Sequence, residues 1–235
     1  MLMEKLETWS KEHHLPLEKE QLAQFETYAK LLLLWNERMN LTRITDEEGI
    51  VVKHFIDSLT PACFYDFSGK ELIDIGTGAG FPGIPLKILF PSLKLTLMDS
   101  LQKRLLFLEE VCRELDLSAK TVHSRAEEGG NSPLYREQFD IAISRAVAGL
   151  PTLSEYCLPY VKVGGVMIAM KGPDGQKELE MAERAIDLLG GIMRSKNDLT
   201  LPDGSQRCVL IVDKAKPTPS LYPRRGVKIS KRPIE

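Results

Sequence analysis

Cysteine and histidine are scarce in this 235-residue chain, with four of each. Cys63, Cys112, Cys157 and Cys208 lie tens of residues apart without a CxxC pair, and the histidines lack ligand spacing, so neither structural zinc nor a disulfide framework is expected. His13 and His14 read as the polar end of a surface helix, and His123 as a residue near a strand end. Long apolar runs are missing too: runs such as Leu31 to Trp35 fall far short of the roughly 20 residues that span a bilayer. The N-terminal stretch MLMEKLETWSKEHH spreads charge where a signal peptide would be apolar, so a cytoplasmic, membrane-free protein is expected. No internal repeat occurs, and only the Pro/Lys/Arg tail is of low complexity.

One-sided charge is also lacking overall, at a net −2, but its placement is uneven. Lys214, Lys216, Arg224, Arg225, Lys228, Lys231 and Arg232 form a basic tail without acids, which leaves the remainder at −9. Such a tail reads either as a solvated arm or as a local contact for an anionic partner.

At 43% hydrophobic and 27% charged residues, the chain can bury one good-sized core. Leu22, Phe25, Ala29, Leu32 and Leu33 recur at helical spacing within an amphipathic helix over 18–39, and a shorter helix precedes it up to about His13. Asp46 opens another over DEEGIVVKHFIDSLTPA, with acids in its first turn and Pro61 near its end. Residues 1–66 are thus expected to form a helical extension. Phe67-Ser68-Gly69-Lys70 is a turn-like link. From Glu71, short apolar strands (LIDI, KLTLMD, AKTVH, FDIAISRA, GGVMIAMK) alternate with helical stretches, the βαβ rhythm of a parallel sheet wrapped by helices. GIMRSKN and QRCVLIVDK flank the turn Leu201-Pro202-Asp203-Gly204 and predict an antiparallel edge hairpin. The resulting α/β core of seven strands is expected over 67–214, closing with a strand at about 206–213 and followed by the tail, 215–235.

Asp74-Ile75-Gly76-Thr77-Gly78-Ala79-Gly80 follows a strand and precedes a helix, the position where glycines permit a tight turn and close approach of a ligand. Gly78-Ala79-Gly80-Phe81-Pro82-Gly83 also satisfies the dinucleotide pattern G-x-G-x-x-G, and Asp99 lies at the distance of an acid that binds ribose hydroxyls, so a nicotinamide or flavin enzyme is one reading. Charge favours another. A pyrophosphate at the helix N-terminus would meet the carboxylate of Asp74, whereas S-adenosylmethionine carries a sulfonium and an ammonium and no phosphate. Pro82 and Pro85 also withdraw N–H groups that a pyrophosphate would use.

Arg125-Ala126-Glu127 after the third strand can present backbone and carboxylate to an adenine edge. Ser144-Arg145-Ala146 ends the fourth strand at the carboxyl edge of the sheet, where open α/β folds bind ligands, and Arg145 suits a cofactor carboxylate or a substrate phosphate. Neither an Asn/Asp-Pro-Pro-aromatic motif, typical of exocyclic-amine methylation, nor a Pro-Cys nucleophile is present. The chemistry left is attack by a nucleophile that needs little activation.

Together these residues resemble the RsmG (GidB) family, bacterial methyltransferases of small-subunit ribosomal RNA. The match runs through Trp35-Asn36-Glu37-Arg38-Met39-Asn40-Leu41-Thr42, His54-Phe55-Ile56-Asp57-Ser58-Leu59, GTGAGFPGIPLKI, Asp99-Ser100-Leu101-Gln102-Lys103-Arg104, Phe107-Leu108, Arg125-Ala126-Glu127, Ser144-Arg145-Ala146, Lys171-Gly172 and Tyr222-Pro223-Arg224. The resemblance implies a class I, Rossmann-like methyltransferase fold with an N-terminal helical extension. It also implies transfer of a methyl group from S-adenosylmethionine to N7 of a guanine, family position 527, in the 530 loop of 16S rRNA. The expected cofactor-binding residues are Asp74, Gly76, Thr77, Gly78, Gly80, Phe81, Asp99, Ala126, Glu127 and Arg145, with Arg145 and Lys171 as positioning candidates. Lys53, His54, Lys171, Arg224, Arg225, Lys228 and Lys231 are candidate RNA contacts, of collective value as phosphate neutralisers. The expected partner is 16S rRNA in the 30S subunit or an assembly intermediate, met by a monomer; a small-molecule methyltransferase of the same fold is the alternative. The tail departs from the family spacing YPRxxGxPxK: Gly226 comes one residue early, and Val227 and Lys228 replace the residues around the second proline.

Overall fold

The structure is a computed structural model and describes residues 3–226 and 228–234; Val227 of the altered tail spacing therefore lies outside the described residues. Helices α1 (Glu4–Glu12) and α2 (Lys19–Met39) open the chain. Glu18 begins α2 with a reciprocal capping box to Gln21, which satisfies two of the free N–H groups at a helix start. The next helical stretch is not one regular helix. A short turn, α3 (Glu47–Gly49), capped by the Asp46 carboxylate, widens into π-helix over Ile50–Ile56. It tightens again through α4 (Asp57–Leu59) and a 3₁₀ turn, Thr60–Cys63. The physical reason is burial: Ile50, Val51, Val52, His54, Phe55 and Ile56 are all buried, and the wider turn lets an almost continuous apolar run face the protein.

Seven strands follow, as expected: β1 (Glu71–Ile75), β2 (Lys94–Asp99), β3 (Ala119–His123), β4 (Phe139–Arg145), β5 (Val161–Lys171), β6 (Gly191–Thr200) and β7 (Gln206–Lys214). Their order in one sheet is β3-β2-β1-β4-β5-β7-β6; β1 to β5 pair in parallel, and β7 runs antiparallel to both β5 and β6. Between them run α5 (Gly83–Leu89), α6 (Gln102–Glu114), α7 (Ala126–Gly129), α8 (Leu150–Cys157) and α9 (Gly175–Leu188), and α10 (Lys228–Lys231) lies near the C-terminus. The chain moves one way from β1 to β3 and then returns to place β4 on the other side of β1. That reversal opens a crevice at the carboxyl ends of β1 and β4, the position where such sheets bind ligands.

Alternating strand residues feed two cores. Leu72, Leu95, Leu97, Ile141 and Ile143 pack under α5, α6 and the N-terminal helices, in one cluster with Leu6, Phe25, Tyr28 and Phe55. Ile73, Ile75, Ala142, Met167 and Leu210 pack on the opposite face against α8 and α9. The N-terminal helices therefore complete a face of the sheet and share its core.

The described part of the tail is fastened to the body at several points, although most of its basic side chains are exposed. Arg136 donates to the carbonyls of Thr218 and Tyr222, Asn131 Nδ2 donates to that of Pro223, and Ile229 and Ile234 are buried. No helix among the described residues is long and apolar enough to cross a membrane.

Candidate active site

The loop between β1 and α5 is shaped by two glycines above all. Gly76 has φ +69°, and a Cβ there would come within 2.6 Å of Val147 Cγ2; Gly80 has φ +95°, and a Cβ there would meet the Tyr28 hydroxyl at 2.5 Å. Tyr28, on α2, reaches across to donate its hydroxyl to the Ala79 carbonyl.

Asp74 is fully buried beneath this loop. Its Oδ2 accepts from the Thr77 hydroxyl at 2.7 Å and the Gly83 N–H at 2.9 Å, tying the loop to α5, while Oδ1 is buried without a hydrogen-bond partner. Burial pushes the carboxyl up to about 6, against the pull of those two bonds. Asp99, at the end of β2, accepts from the Gly78 N–H at 2.9 Å and from Arg104 Nη1 at 3.2 Å through Oδ2, and from the Leu101 N–H through Oδ1.

Over the carboxyl ends of β1, β2 and β4 lies a cavity of about 560 Å³. Gly76, Thr77, Gly78, Phe81, Asp99, Ala126, Glu127 and Arg145 line it together, whereas Asp74 and Gly80 lie in the framework of the loop and do not. Its size falls within the range of small-ligand sites. Its charges are mixed: Arg104 is paired with Asp99 and Arg145 with Asp57, while Arg125 and Glu127 line it, and Asp74 lies beneath it, without a salt bridge among the described residues. The buried carboxylates Asp74 and Glu127, on the loop side of the cavity, are compatible with a cofactor that carries positive charge and no phosphate.

Arg145 is a junction more than a free clamp. Its Nη1 donates to the carbonyls of Lys53 and His54 at 3.2 and 3.4 Å and to Asp57 Oδ2 at 3.1 Å, so the π-helical turn meets the end of β4 here. All three bonds run from Nη1, and the guanidinium lies over the Phe81 ring, 5.0 Å from its centroid. Arg207 Nε, from β7, holds the other oxygen of Asp57 at 2.9 Å. The His54 ring stacks on Phe81 at 4.5 Å, and its Nε2 lies 2.8 Å from the Thr42 hydroxyl. Burial, reinforced by Arg145, lowers its pKa to about 3, so it is neutral. Beyond Arg145, Ala146 adopts a left-handed backbone, φ +57°, which swings Val147 over Gly76.

A second cavity, about 600 Å³, opens on the far side of this wall. It shares His54, Arg145, Ala146 and Val147 with the first, and Lys53, Asp57, Lys171, Glu178 and Arg207 also line it.

The structure separates the expected RNA contacts. His54 is buried and uncharged, so it offers nothing to a phosphate. Arg224 forks onto Glu155, which is 0% exposed, through Nε and Nη2, and its charge is taken up there. Lys171 is buried in an ion pair with Glu178. Lys53, Arg225, Lys228 and Lys231 are exposed. Tyr28, Asp57, Glu155, Glu178 and Arg207 carry structural consequences that their sequence positions do not announce. Asp57 alone gives a signal, as an acid on the apolar run HFIDSL.

Comparison with known proteins decides among the methyltransferases. A family profile described as GidB, rRNA small subunit methyltransferase G, matches residues 21–205. The chain belongs to this family. It is 48% identical to ribosomal RNA small subunit methyltransferase G of Geobacillus sp. strain WCH70, over 97% of each chain. Against the protein of that name from Bacillus cereus strain AH187 it is 47% identical over the full length of both, and against that of Alkaliphilus metalliredigens 50% identical over 93% of each. Among solved structures, the sheet and its helices resemble a branched-chain polyamine synthase variant from Thermus thermophilus, with TM-score 0.58, 12% identity and coverage of 82% of this chain and 64% of that one. TYW2 from Pyrococcus horikoshii gives TM-score 0.53 at 14% identity, over 68% and 62% of the two chains. At these identities they establish the fold alone.

Proposed function

We propose that this GidB-family protein transfers the methyl group of S-adenosylmethionine to N7 of a guanine in the 530 loop of 16S rRNA, the family position being guanine 527. The observation that carries this reading is the pair of cavities sharing the wall His54-Arg145-Ala146-Val147. One holds a cationic, phosphate-free cofactor, and the other admits the base. S-adenosylmethionine supplies an electrophilic methyl on sulfur. Guanine N7 has a lone pair and no proton, so the protein supplies no general base, only alignment and exclusion of water. That suits a wall whose histidine is neutral and whose arginine is held in place.

The residues that would hold the cofactor are Gly76, Thr77, Gly78, Phe81, Asp99, Ala126, Glu127 and Arg145, with Asp74 beneath the loop and Gly80 giving its shape. Asp99 and Glu127 provide acceptors for hydroxyl and amine donors. Arg145 and Phe81 fix the wall through which the methyl passes. Arg225, Lys228 and Lys231 are exposed charges available to rRNA phosphates, and Lys53 is exposed beside Asp203, 3.8 Å away. The substrate is the 30S subunit or an assembly intermediate, reached by a monomer in the cytoplasm.

The test is methyl transfer from labelled cofactor to 30S particles and to naked 16S rRNA prepared from a strain lacking the modification, with the site mapped by cleavage at 7-methylguanine. One methyl at guanine 527 is expected. Transfer elsewhere, or only to small molecules, overturns the reading.

A further inference from the structure

The second cavity holds charges that are used up and charges that are not. Asp57 is satisfied by Arg145 and Arg207. Lys171, from the end of β5, and Glu178, from the first turn of α9, form an ion pair at 2.7 Å with side chains 7% and 28% exposed. The Lys171 ammonium also donates to the Ala148 carbonyl at 2.6 Å, which leaves the last of its three N–H groups. Glu178 Oε2 takes both the lysine and the Leu150 N–H, at 2.7 Å, and Oε1 receives neither. Three elements thus hold a donor and an acceptor side by side on the wall of the cavity, anchored before any ligand arrives.

We propose that Lys171 and Glu178 select guanine by its Watson–Crick edge. The proposal rests on the assignment of guanine as substrate and extends it to how the base is recognised. A guanine presents O6, an acceptor, beside N1–H and the exocyclic amine, both donors. Lys171 donates to O6 while Glu178 Oε1 accepts from N1–H. Adenine offers the opposite polarity, an amine beside a bare N1, and would set donor against donor and lone pair against lone pair. Because O6 neighbours N7 on the purine ring, a base held this way also has its reacting nitrogen oriented.

The test uses 30S particles reconstituted from 16S rRNA in which position 527 is guanine, inosine or 2-aminopurine. All three retain N7. Inosine keeps O6 and N1–H, and 2-aminopurine lacks both. The wild-type protein is expected to methylate guanine and inosine within a few-fold of each other and to lose on the order of 10- to 100-fold in kcat/KM on 2-aminopurine. Glu178→Gln places an amide where the carboxylate stood, and is expected to bring guanine and 2-aminopurine to within a few-fold of each other with S-adenosylhomocysteine affinity unchanged. Equal use of guanine and 2-aminopurine by the wild type overturns the proposal, and that series needs no variant to fold. Retention of the full preference by a folded Glu178→Gln protein overturns it as well. If the wild type methylates no guanine at all, the substrate assignment fails, and base selection with it.

Discussion

Asp74 ties the loop between β1 and α5 from beneath the cavity, which it does not line. Its folded pKa, about 6 against 3.8 for a free carboxyl, is raised, so its contribution to stability is fully present below about pH 3.8 and is lost as pH rises through about 6. Asp74→Asn removes that dependence. The melting temperature of the variant relative to wild type is expected to rise between pH 4 and pH 7, by the equivalent of ~3 kcal/mol at most, and parallel melting curves across that range would refute it. The same ionisation adds a negative charge beneath the loop, so affinity for the cationic S-adenosylmethionine is expected to increase through pH 6 in calorimetry on the wild type and to stay level in the variant. His54, neutral down to about pH 3, contributes no inflection near its ordinary value. Arg145 acts through one donor nitrogen, Nη1, and a planar group stacked over Phe81. Arg145→Ala takes a donor from the Lys53 and His54 carbonyls and leaves Asp57 Oδ2 without its cation, and is expected to cost about 3–5 kcal/mol along with methyl transfer. Arg145→Lys keeps the charge but loses the planar group over Phe81, and is expected to restore stability more than kcat/KM; a lysine variant of wild-type activity would show that charge alone matters.

Among the elements, the C-terminal segment departs most from a simple reading of its composition. Its basic residues divide into two groups. Arg224 is matched to the buried Glu155, and Lys214, 1% exposed, is bonded to the Leu158 carbonyl and Thr218 and paired with Glu137 at 3.3 Å. Both fasten the tail to the body. Lys216, Arg225, Lys228, Lys231 and Arg232 remain exposed. Truncation after Asp213 would therefore test folding, because it strands Glu155 as an unpaired buried charge. Arg224→Ala is expected to destabilise the protein by about 3–5 kcal/mol in chemical denaturation for the same reason, and a loss under 1 kcal/mol would show Glu155 reaching solvent. The combined reversal of Arg225, Lys228 and Lys231 to glutamate is expected to leave the melting temperature in place. It should weaken RNA binding more at low salt than at high salt, and a salt-independent loss would count against an electrostatic role.

At the scale of the whole molecule, the first 60 or so residues and the sheet form one packed body. Phe55 lies in the same core as Leu72 and Leu97, its ring 5.0 Å from Phe25 and 5.5 Å from Tyr28, and Tyr28 in turn holds the cofactor loop. A single cooperative calorimetric transition is expected. Phe55→Ala is expected to lower stability by about 3–5 kcal/mol and weaken cofactor binding together; an early separate transition for the N-terminal helices would refute the shared core.

Periodicity and glycine spacing make the sheet, its edge hairpin, the helix over 18–39 and the β1 loop legible, because strand alternation, helix phase and positive φ are local properties of a few neighbouring residues. The place of Asp74 is legible for a similar reason: a strand end beside a glycine turn is a fixed place in this fold. What only the tertiary structure decided are pairings over long separations, Arg145 with Asp57, Arg224 with Glu155 and Lys171 with the Ala148 carbonyl, which turned free-looking cations into fasteners. The widening of Ile50–Ile56 into π-helix belongs to the same class, since the core it faces and the arginine that meets its carbonyls come from elsewhere in the chain. A side chain's type determines which bonds it can make; whether its charge is left over for a ligand depends on which partners the sheet brings within about 3 Å.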